Sequence, residues 1–347
     1  MYGDRVIYKK KMIEAKKEYE KTKDPIYKNE IARCHNIQMA KKIALNSAYG
    51  AIGNQYFRYF DVKQAEAITL GGQLSIRWVE RDVNKFMNKV LGTDNQNYVV
   101  ASDTDSIYIS MGKLVDKVCK DKTPQQIADF LDKVSEQKLQ KIIDGSFEHL
   151  ADYVNAFEQK MVMKREAIAN KGIWVAKKRY MLNLFDEEGI RYEYPKLKVM
   201  GVEAVKSSTP EICRTKIKEA IRVIMNQNED DLIKYVADFK EVFKTLSPEE
   251  VAFPRSCNNL MKFADSSSIY KKGTPIHVKG ALIYNYYLHK HKLEMKYPII
   301  KDGDKIKFLM LKLPNNIKDT VVSFSTKIPY EFDLHKYVDY DLQFQKT

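Results

Sequence analysis

The stretch Asn97–Ser110, NYVVASDTDSIYIS, reads as two short strands with a tight turn between them. Tyr98, Val99 and Val100 lead in, and Ile107, Tyr108 and Ile109 lead out, all residues that suit a pleated strand. The turn carries Asp103, Thr104 and Asp105. Side chains alternate along an extended chain, so the two carboxylates are expected to point the same way. Like charges held that close repel unless a cation lies between them. Carboxylate oxygens on a rigid support suit a hard cation such as magnesium. The pattern alone does not decide this. Asp302-Gly303-Asp304 and Asp339-Tyr340-Asp341 repeat it, the first reading as a glycine turn and the second as a solvated face.

The rest of the chain sets bounds on that site. At 347 residues it is long enough for two or three domains with cores of their own, and 44% hydrophobic residues is ordinary for a soluble protein. No apolar run approaches the ~18 residues that span a membrane. The N-terminal MYGDRVIYKKK lacks the apolar core of a signal peptide, so a cytoplasmic location with no membrane partner is expected. Cys34, Cys119, Cys213 and Cys257 lie far apart, which argues against a zinc ribbon or a disulfide framework. His289 and His291 stand among lysines and read as surface. A net charge of +13 points to a polyanionic partner, most simply nucleic acid; a merely basic soluble surface is the other reading.

Ahead of the central stretch, Tyr2 to Thr22 reads as a basic helix with Arg5 and Lys9 one turn apart. Lys21–Pro25 reads as a turn, and a second helix follows from Ile26 to Tyr49, with Lys42, Asn46 and Tyr49 on one face. Helices joined by so short a turn are antiparallel neighbours, which places Arg5, Lys9 and Lys42 around one wall. Two readings fit that wall: a grip on a triphosphate, or a solvated basic hairpin lying along a nucleic-acid backbone. Gly50 to Gly53 ends the second helix. The aromatics Tyr56, Phe57, Tyr59 and Phe60 are expected in the core. Lys63–Val90 reads as one long helix, with Gly71-Gly72 a point of interruption.

Beyond the central stretch, 123–155 reads as mixed helix. A strand over Ile173–Phe185, a turn at Asp186–Gly189 and a returning strand over Ile190–Met200 follow. They carry Lys177, Lys178, Arg179 and Tyr180, a cluster suited either to duplex phosphates or to guarding an exposed strand edge. The character changes near Val205 to amphipathic helices, with starts at Ser207-Ser208-Thr209-Pro210 and at the capping box Ser247-Pro248-Glu249-Glu250. His277–Tyr284 and Ile306–Leu311 read as short strands.

Several of these stretches together resemble family B DNA polymerases. Lys42-Ile43-Ala44-Leu45-Asn46-Ser47-Ala48-Tyr49-Gly50 resembles the fingers motif Lys-x3-Asn-Ser-x-Tyr-Gly. Asp103-Thr104-Asp105 resembles the palm carboxylate motif, and Lys177-Lys178-Arg179-Tyr180 the basic palm motif that follows it, in the right order. Phe57-Arg58-Tyr59, Arg165-Glu166-Ala167-Ile168, Lys206 to Pro210 and His277-Val278-Lys279-Gly280 resemble the members from T-even-type bacteriophages, so the likeness covers nearly the whole chain.

The resemblance implies an α+β right-hand fold: a helical-hairpin fingers region at 1–52, an antiparallel-sheet palm at 53–205 and a mostly helical thumb at 206–347. It implies template-dependent transfer of a nucleotide from dNTP to a primer 3′-OH with two magnesium ions, in the cytoplasm of an infected bacterium. Arg5, Lys9 and Lys42 would grip the triphosphate, Lys42 with a catalytic part. Asn46 and Tyr49, followed by Gly50, would line the pocket for the new base pair. Tyr49 would also test base-pair shape and help exclude a ribose 2′-OH. Asp105 would be the more direct metal ligand, with Thr104 and Asp103 beside it and Glu166 a further carboxylate near the site. Lys177, Lys178, Arg179 and Tyr180, with Lys206 and Lys279, would hold the primer-template.

There are departures from the family pattern. The metal-bridging Asp motif that the family carries ahead of the fingers has no counterpart in this sequence, nor has the exonuclease domain. Lys164 stands where the phage proteins have Asp, and the fingers hairpin is shorter than theirs. No stretch resembles the tail that usually binds the sliding clamp, so no clamp contact is expected from these residues. The expectation is the C-terminal part of a polymerase, from a split gene or a truncation, inactive until a separate N-terminal chain joins it. The alternatives are a non-catalytic DNA-binding remnant and a small nucleotidyltransferase with a rearranged metal site.

Overall fold

Two helices open the chain, α1 (Tyr2–Thr22) and α2 (Ile26–Ile52), packed as an antiparallel hairpin. The reversal is made by Lys23 in the left-handed region (φ 57°) and by the Asp24 carboxylate, which accepts the Ile26 N–H at 2.9 Å. Met12 and Ala15 of α1 and Cys34 and Gln38 of α2 are buried, and most of the rest of the hairpin is not. Such a pair stands on charge contacts and a thin seam. One of those contacts is Lys41 Nζ to Asp4 Oδ2, 3.0 Å.

α3 (Val62–Leu91) runs without a break through Gly71-Gly72. Asp61 caps it, accepting the N–H groups of Lys63 and Gln64, and Gly92 (φ 67°) ends it. Its C-terminal half buries Val79, Val83 and Met87; its N-terminal half leaves Ile68, Leu70 and Leu74 exposed. The aromatics expected in the core are likewise exposed, Tyr56 and Tyr59 most of all. They occupy the turns between α2 and α3, where no element covers them; Phe57 and Tyr59 meet edge to face, with the Arg58 guanidinium over Tyr59.

The central stretch forms β1 (Val99–Asp103) and β2 (Ser106–Ile109), an antiparallel pair with Asp103 opposite Ser106. The chain continues through α4 (Gly112–Val118) and α5 (Pro124–Val134), and a π-helical turn over Ser135–Leu139 leads into α6 (Gln140–Tyr153). Leu139, Ile143 and Phe147 then pack with Val79, Val83, Met87, Tyr98 and Val99. A second sheet follows in the order β3 (Ala167–Ala176), β4 (Arg179–Glu187), β5 (Ile190–Met200). The single strand expected over 173–185 is therefore two strands. Lys177-Lys178 is a hairpin turn, with Lys178 at φ 61°.

The remaining elements are α7 (Glu211–Asn226), α8 (Glu229–Thr245), α9 (Pro248–Val251), β6 (Phe253–Ser256), α10 (Leu260–Phe263), β7 (Ala264–Asp265), β8 (Ile269–Tyr270), α11 (Ile276–His291), β9 (Lys305–Met310), β10 (Val321–Phe324) and α12 (Tyr340–Gln345). The capping box at Ser247 and Glu250 is present. A sheet in the order β10-β9-β6 backs onto α11 and holds the largest core of the chain. The strand expected at His277–Tyr284 is instead part of α11. Val278, Ala281, Leu282, Ile283, Tyr284, Tyr287 and Leu288 are all buried. A helix buried nearly all round shows an apolar run that periodicity cannot tell from a strand.

The chain is thus α+β. This computed structural model describes residues 1–346. It divides into two units, Met1–Lys178 with Leu182–Lys198, and Arg179–Met181 with the chain from Val199 on. No helix of the described residues is long and apolar enough to cross a membrane. All four cysteines are buried and free.

Candidate active site

The Asp103–Asp105 turn rests on a fixed base. The Asn84 side-chain oxygen on α3 accepts the N–H of Tyr98 at 2.8 Å and of Val99 at 3.2 Å, and Asn88 accepts the N–H of Gln96 at 3.0 Å. These contacts hold the entry of β1 against α3. At the far end, Thr104 takes the left-handed conformation (φ 56°), which is uncommon for a β-branched residue. The Asp105 N–H donates to the Asp103 carbonyl at 2.6 Å, and the Ser106 hydroxyl to the same carbonyl at 3.2 Å. Strand alternation is therefore not what relates the two carboxylates; the tight turn is. Asp103 is half-buried and Asp105 exposed.

A second turn is docked on the first. Trp174 of β3 meets Tyr108 of β2 edge to face, ring centres 5.2 Å apart. It can lie there because Gly172 is bare: a Cβ at that position would stand 2.7 Å from the indole ring. Three residues on, the Lys177-Lys178 turn brings Lys178 Nζ to 3.4 Å from Asp103 Oδ1. The Thr104 hydroxyl donates to the same oxygen at 3.0 Å. Neither Asn84 nor Trp174 and Gly172 stood out in the sequence; a lone Asn in a long helix and a Gly in a strand carry no signal until the partner is known.

Within the first unit, two residues named from the sequence are placed away from this pair of turns. Glu166 and Lys9 sit at the opposite end of β4, which spans roughly 30 Å at ~3.3 Å per residue. There the Glu188 N–H donates to the Glu166 carbonyl at 2.7 Å, and Lys9 Nζ is 2.5 Å from Glu188 Oε1. Lys198 bridges Glu166 at 3.3 Å and Glu187 at 3.0 Å, and Lys196 reaches Glu187 at 3.1 Å. Burial pushes the Glu187 carboxyl up, but the hydrogen bonds and charges of Lys198 and Lys196 outweigh it and bring it down to about 2. Beside this, Arg165 pairs with the buried Asp186 and with Asp132 of α5 (2.6 Å), while Arg191 reaches Asp186 at 3.4 Å and Asp129 at 3.2 Å. That network ties α5 to the β4–β5 hairpin.

On the helical hairpin, Lys42, Asn46, Tyr49 and Gly50 are exposed along one stretch of α2. The Asp4–Lys41 contact joins the residues that directly precede Arg5 and Lys42 in the two helices. Arg5 Nε is buried and has no hydrogen-bond partner among the described residues. Lys9, expected beside Arg5 and Lys42, is engaged by Glu188. In the second unit, Arg179 pairs with Glu203 at 2.5 Å and Lys206 with the same carboxylate at 3.0 Å. Lys279 pairs with Asp319 at 2.8 Å and lies over the Tyr270 ring, its ammonium 4.8 Å from the ring centre. Tyr180 is half-buried.

Among the described residues no three carboxylate, imidazole or thiol groups converge as a metal cage. Magnesium does not need one, since it commonly takes one or two carboxylates together with substrate phosphates and water. The two hard carboxylates at Asp103 and Asp105 fit that donor set.

The family model described as DNA polymerase family B matches residues 5–343. The DNA-directed DNA polymerase of Enterobacteria phage T4 is 35% identical over 324 residues, which are 89% of this chain and 36% of that protein. That of Escherichia phage RB69 is 37% identical over 324 residues, 89% of this chain and 35% of that protein. A DNA polymerase of Thermococcus gorgonarius is 25% identical over 328 residues, 93% of this chain and 35% of that protein. The chain belongs to DNA polymerase family B, and it spans about a third of the length of these relatives.

Proposed function

We propose that these residues supply the fingers (1–52), palm (53–205) and thumb (206–347) of a DNA-directed DNA polymerase. Primer-template DNA and dNTP are its ligands, and Asp103 and Asp105 would hold magnesium. The observation that supports this most is the pairing of the two turns, carboxylates on one and lysines on the other, in a chain of this family. In the reaction a primer 3′-oxygen bonds to the α-phosphorus, the bond from that phosphorus to the α,β-bridging oxygen breaks, and pyrophosphate leaves. Bound magnesium would lower the pKa of the attacking hydroxyl and offset phosphate charge.

The chain's own groups position the reactants. Arg5 and Lys42 would grip the triphosphate, joined by Lys9 once it leaves Glu188; that exchange is the fingers closing on a paired nucleotide. Asn46 and Tyr49 would line the base-pair pocket, with Gly50 leaving room beside them. Lys177, Lys178, Arg179 and Tyr180 would hold the primer-template backbone, and Lys206 and Lys279 would join them only by giving up Glu203 and Asp319. Glu166 would act at a distance, by fixing the β4–β5 end. A further metal-bridging carboxylate would come from polypeptide outside these residues, and the clamp would be reached through such polypeptide too. The second reading is a DNA-binding piece with no catalysis, which the exposed Lys177-Lys178 turn would serve equally well.

Primer extension with magnesium, with duplex binding read in the same samples, separates the two. It is run with the chain alone and with polypeptide carrying the family's preceding palm motif. Asp105→Asn is expected to cut extension about a hundredfold or more while duplex affinity falls no more than about fivefold. Extension that survives the substitution removes Asp105 from the metal site; binding with no extension under any supplement establishes the second reading.

A further inference from the structure

We propose that Lys178 is the internal counter-ion of the Asp103/Asp105 pair, and that its displacement by a divalent cation couples metal binding to duplex binding. The inference rests on the proposed metal site and goes beyond it by giving one lysine two alternative partners. Three observations carry it. Lys178 Nζ lies 3.4 Å from Asp103 Oδ1. The lysine is held in a left-handed turn (φ 61°), a conformation that costs energy in a residue with a side chain and so marks a position fixed by its surroundings. The hairpin that bears it is anchored by Trp174 on Tyr108, so the ammonium is delivered to the carboxylate by the fold.

Two carboxylates two residues apart at one tight turn repel each other, and an ammonium beside one of them relieves that repulsion. A divalent cation taking Asp103 and Asp105 meets the ammonium as a like charge and must expel it. The lysine side chain is 63% exposed and Asp103 31%, so the ion pair is a weak one and a metal ion can displace it. The freed ammonium stays on the same exposed turn as Lys177, where a phosphate is the natural next partner. Metal therefore releases a cation for the duplex. By linkage, duplex raises metal affinity by the same factor as metal raises duplex affinity.

The test uses the full chain and two readouts that do not depend on synthesis. Mn2+ binding without DNA is followed by the electron-paramagnetic-resonance signal of free Mn2+. Primer-template binding is followed by fluorescence anisotropy with and without Mg2+ at fixed ionic strength. Lys178→Asn removes the charge with a residue that tolerates positive φ, so folding is preserved; Lys178→Arg keeps the charge. The native chain is expected to bind duplex roughly two- to fivefold more tightly with Mg2+, the range set by an exposed ion pair. Lys178→Asn is expected to bind Mn2+ tighter by a like factor and to lose the Mg2+ effect on duplex binding, while Lys178→Arg behaves as native. Mn2+ binding that Asp105→Asn abolishes but Lys178→Asn leaves unchanged overturns the counter-ion role alone. Mn2+ binding indifferent to Asp105→Asn overturns the metal site, and the counter-ion with it.

Discussion

Gly280 shows how a single residue carries a fold decision. It lies in α11, inside the His277-Val278-Lys279-Gly280 stretch, where helix and strand are equally compatible with the sequence. A Cβ at this position would stand 2.5 Å from Ser323 Oγ, 2.8 Å from the Ser323 backbone nitrogen and 3.0 Å from the Val322 carbonyl carbon of β10. Ser323 is not free to move, because its hydroxyl donates to the His277 carbonyl at 2.7 Å. Gly280→Ala gains up to about 1 kcal/mol of helix propensity. Against that, forcing a methyl into backbone costs about 1–3 kcal/mol. The net expectation is a loss of up to about 2 kcal/mol, read as a lower urea midpoint with an unchanged slope. A stabilised variant would mean that α11 can ride away from β10. The resemblance flags this glycine, but the reason for it, backbone passing close to backbone, is a tertiary fact.

At the scale of elements, what the sequence makes legible divides by how local the cause is. The α1–α2 reversal, the Asp103 hairpin and the Ser247 capping box are written in neighbouring residues, and they form where expected. The Lys177-Lys178 turn is not, because lysines carry no turn signal. Nor is the exposure of Tyr56 and Tyr59, which depends on what covers them. The β4–β5 hairpin joins both kinds of cause. Its ends are read easily, but the pairing of Glu187 with Lys196 and Lys198 across two strands is not. That pairing makes a pH prediction. Glu187 is held at about 2, below its ordinary 4.5, so its contribution to stability is full above about pH 4.5. It is lost as pH falls towards 2. Replacing Lys198 with Met should therefore destabilise the chain at pH 6 by about 1–2 kcal/mol, with the gap between native and variant narrowing below about pH 4.5 and closing at about pH 2 and below in denaturant melts. A gap that persists at the lowest pH would show that Lys198 matters by packing and not by charge.

At the scale of the whole molecule, the net charge of +13 suits the proposed polyanionic partner but does not say which cations would meet it. The structure separates cations by what they already hold. Lys177 is exposed on a hairpin turn. Lys279 is largely covered, 2.8 Å from Asp319, and burial, which disfavours its charge, is outweighed by Asp319 and Tyr270 so that its pKa is raised. A cation contributes to the salt dependence of binding only if it releases a counter-ion from DNA when it docks, and one already neutralised by a carboxylate does so only after breaking that pair. Duplex affinity measured across potassium chloride concentrations should therefore give a log–log slope shallower by about 1 for Lys177→Gln and unchanged for Lys279→Gln. Lys279→Gln should show its effect instead as lost stability, since it leaves Asp319, whose side chain is 12% exposed, without its cation. If Lys279→Gln flattens the slope as much as Lys177→Gln does, the Asp319 pair opens on DNA, and the resemblance would then have placed the contact correctly where the DNA-free pairing conceals it.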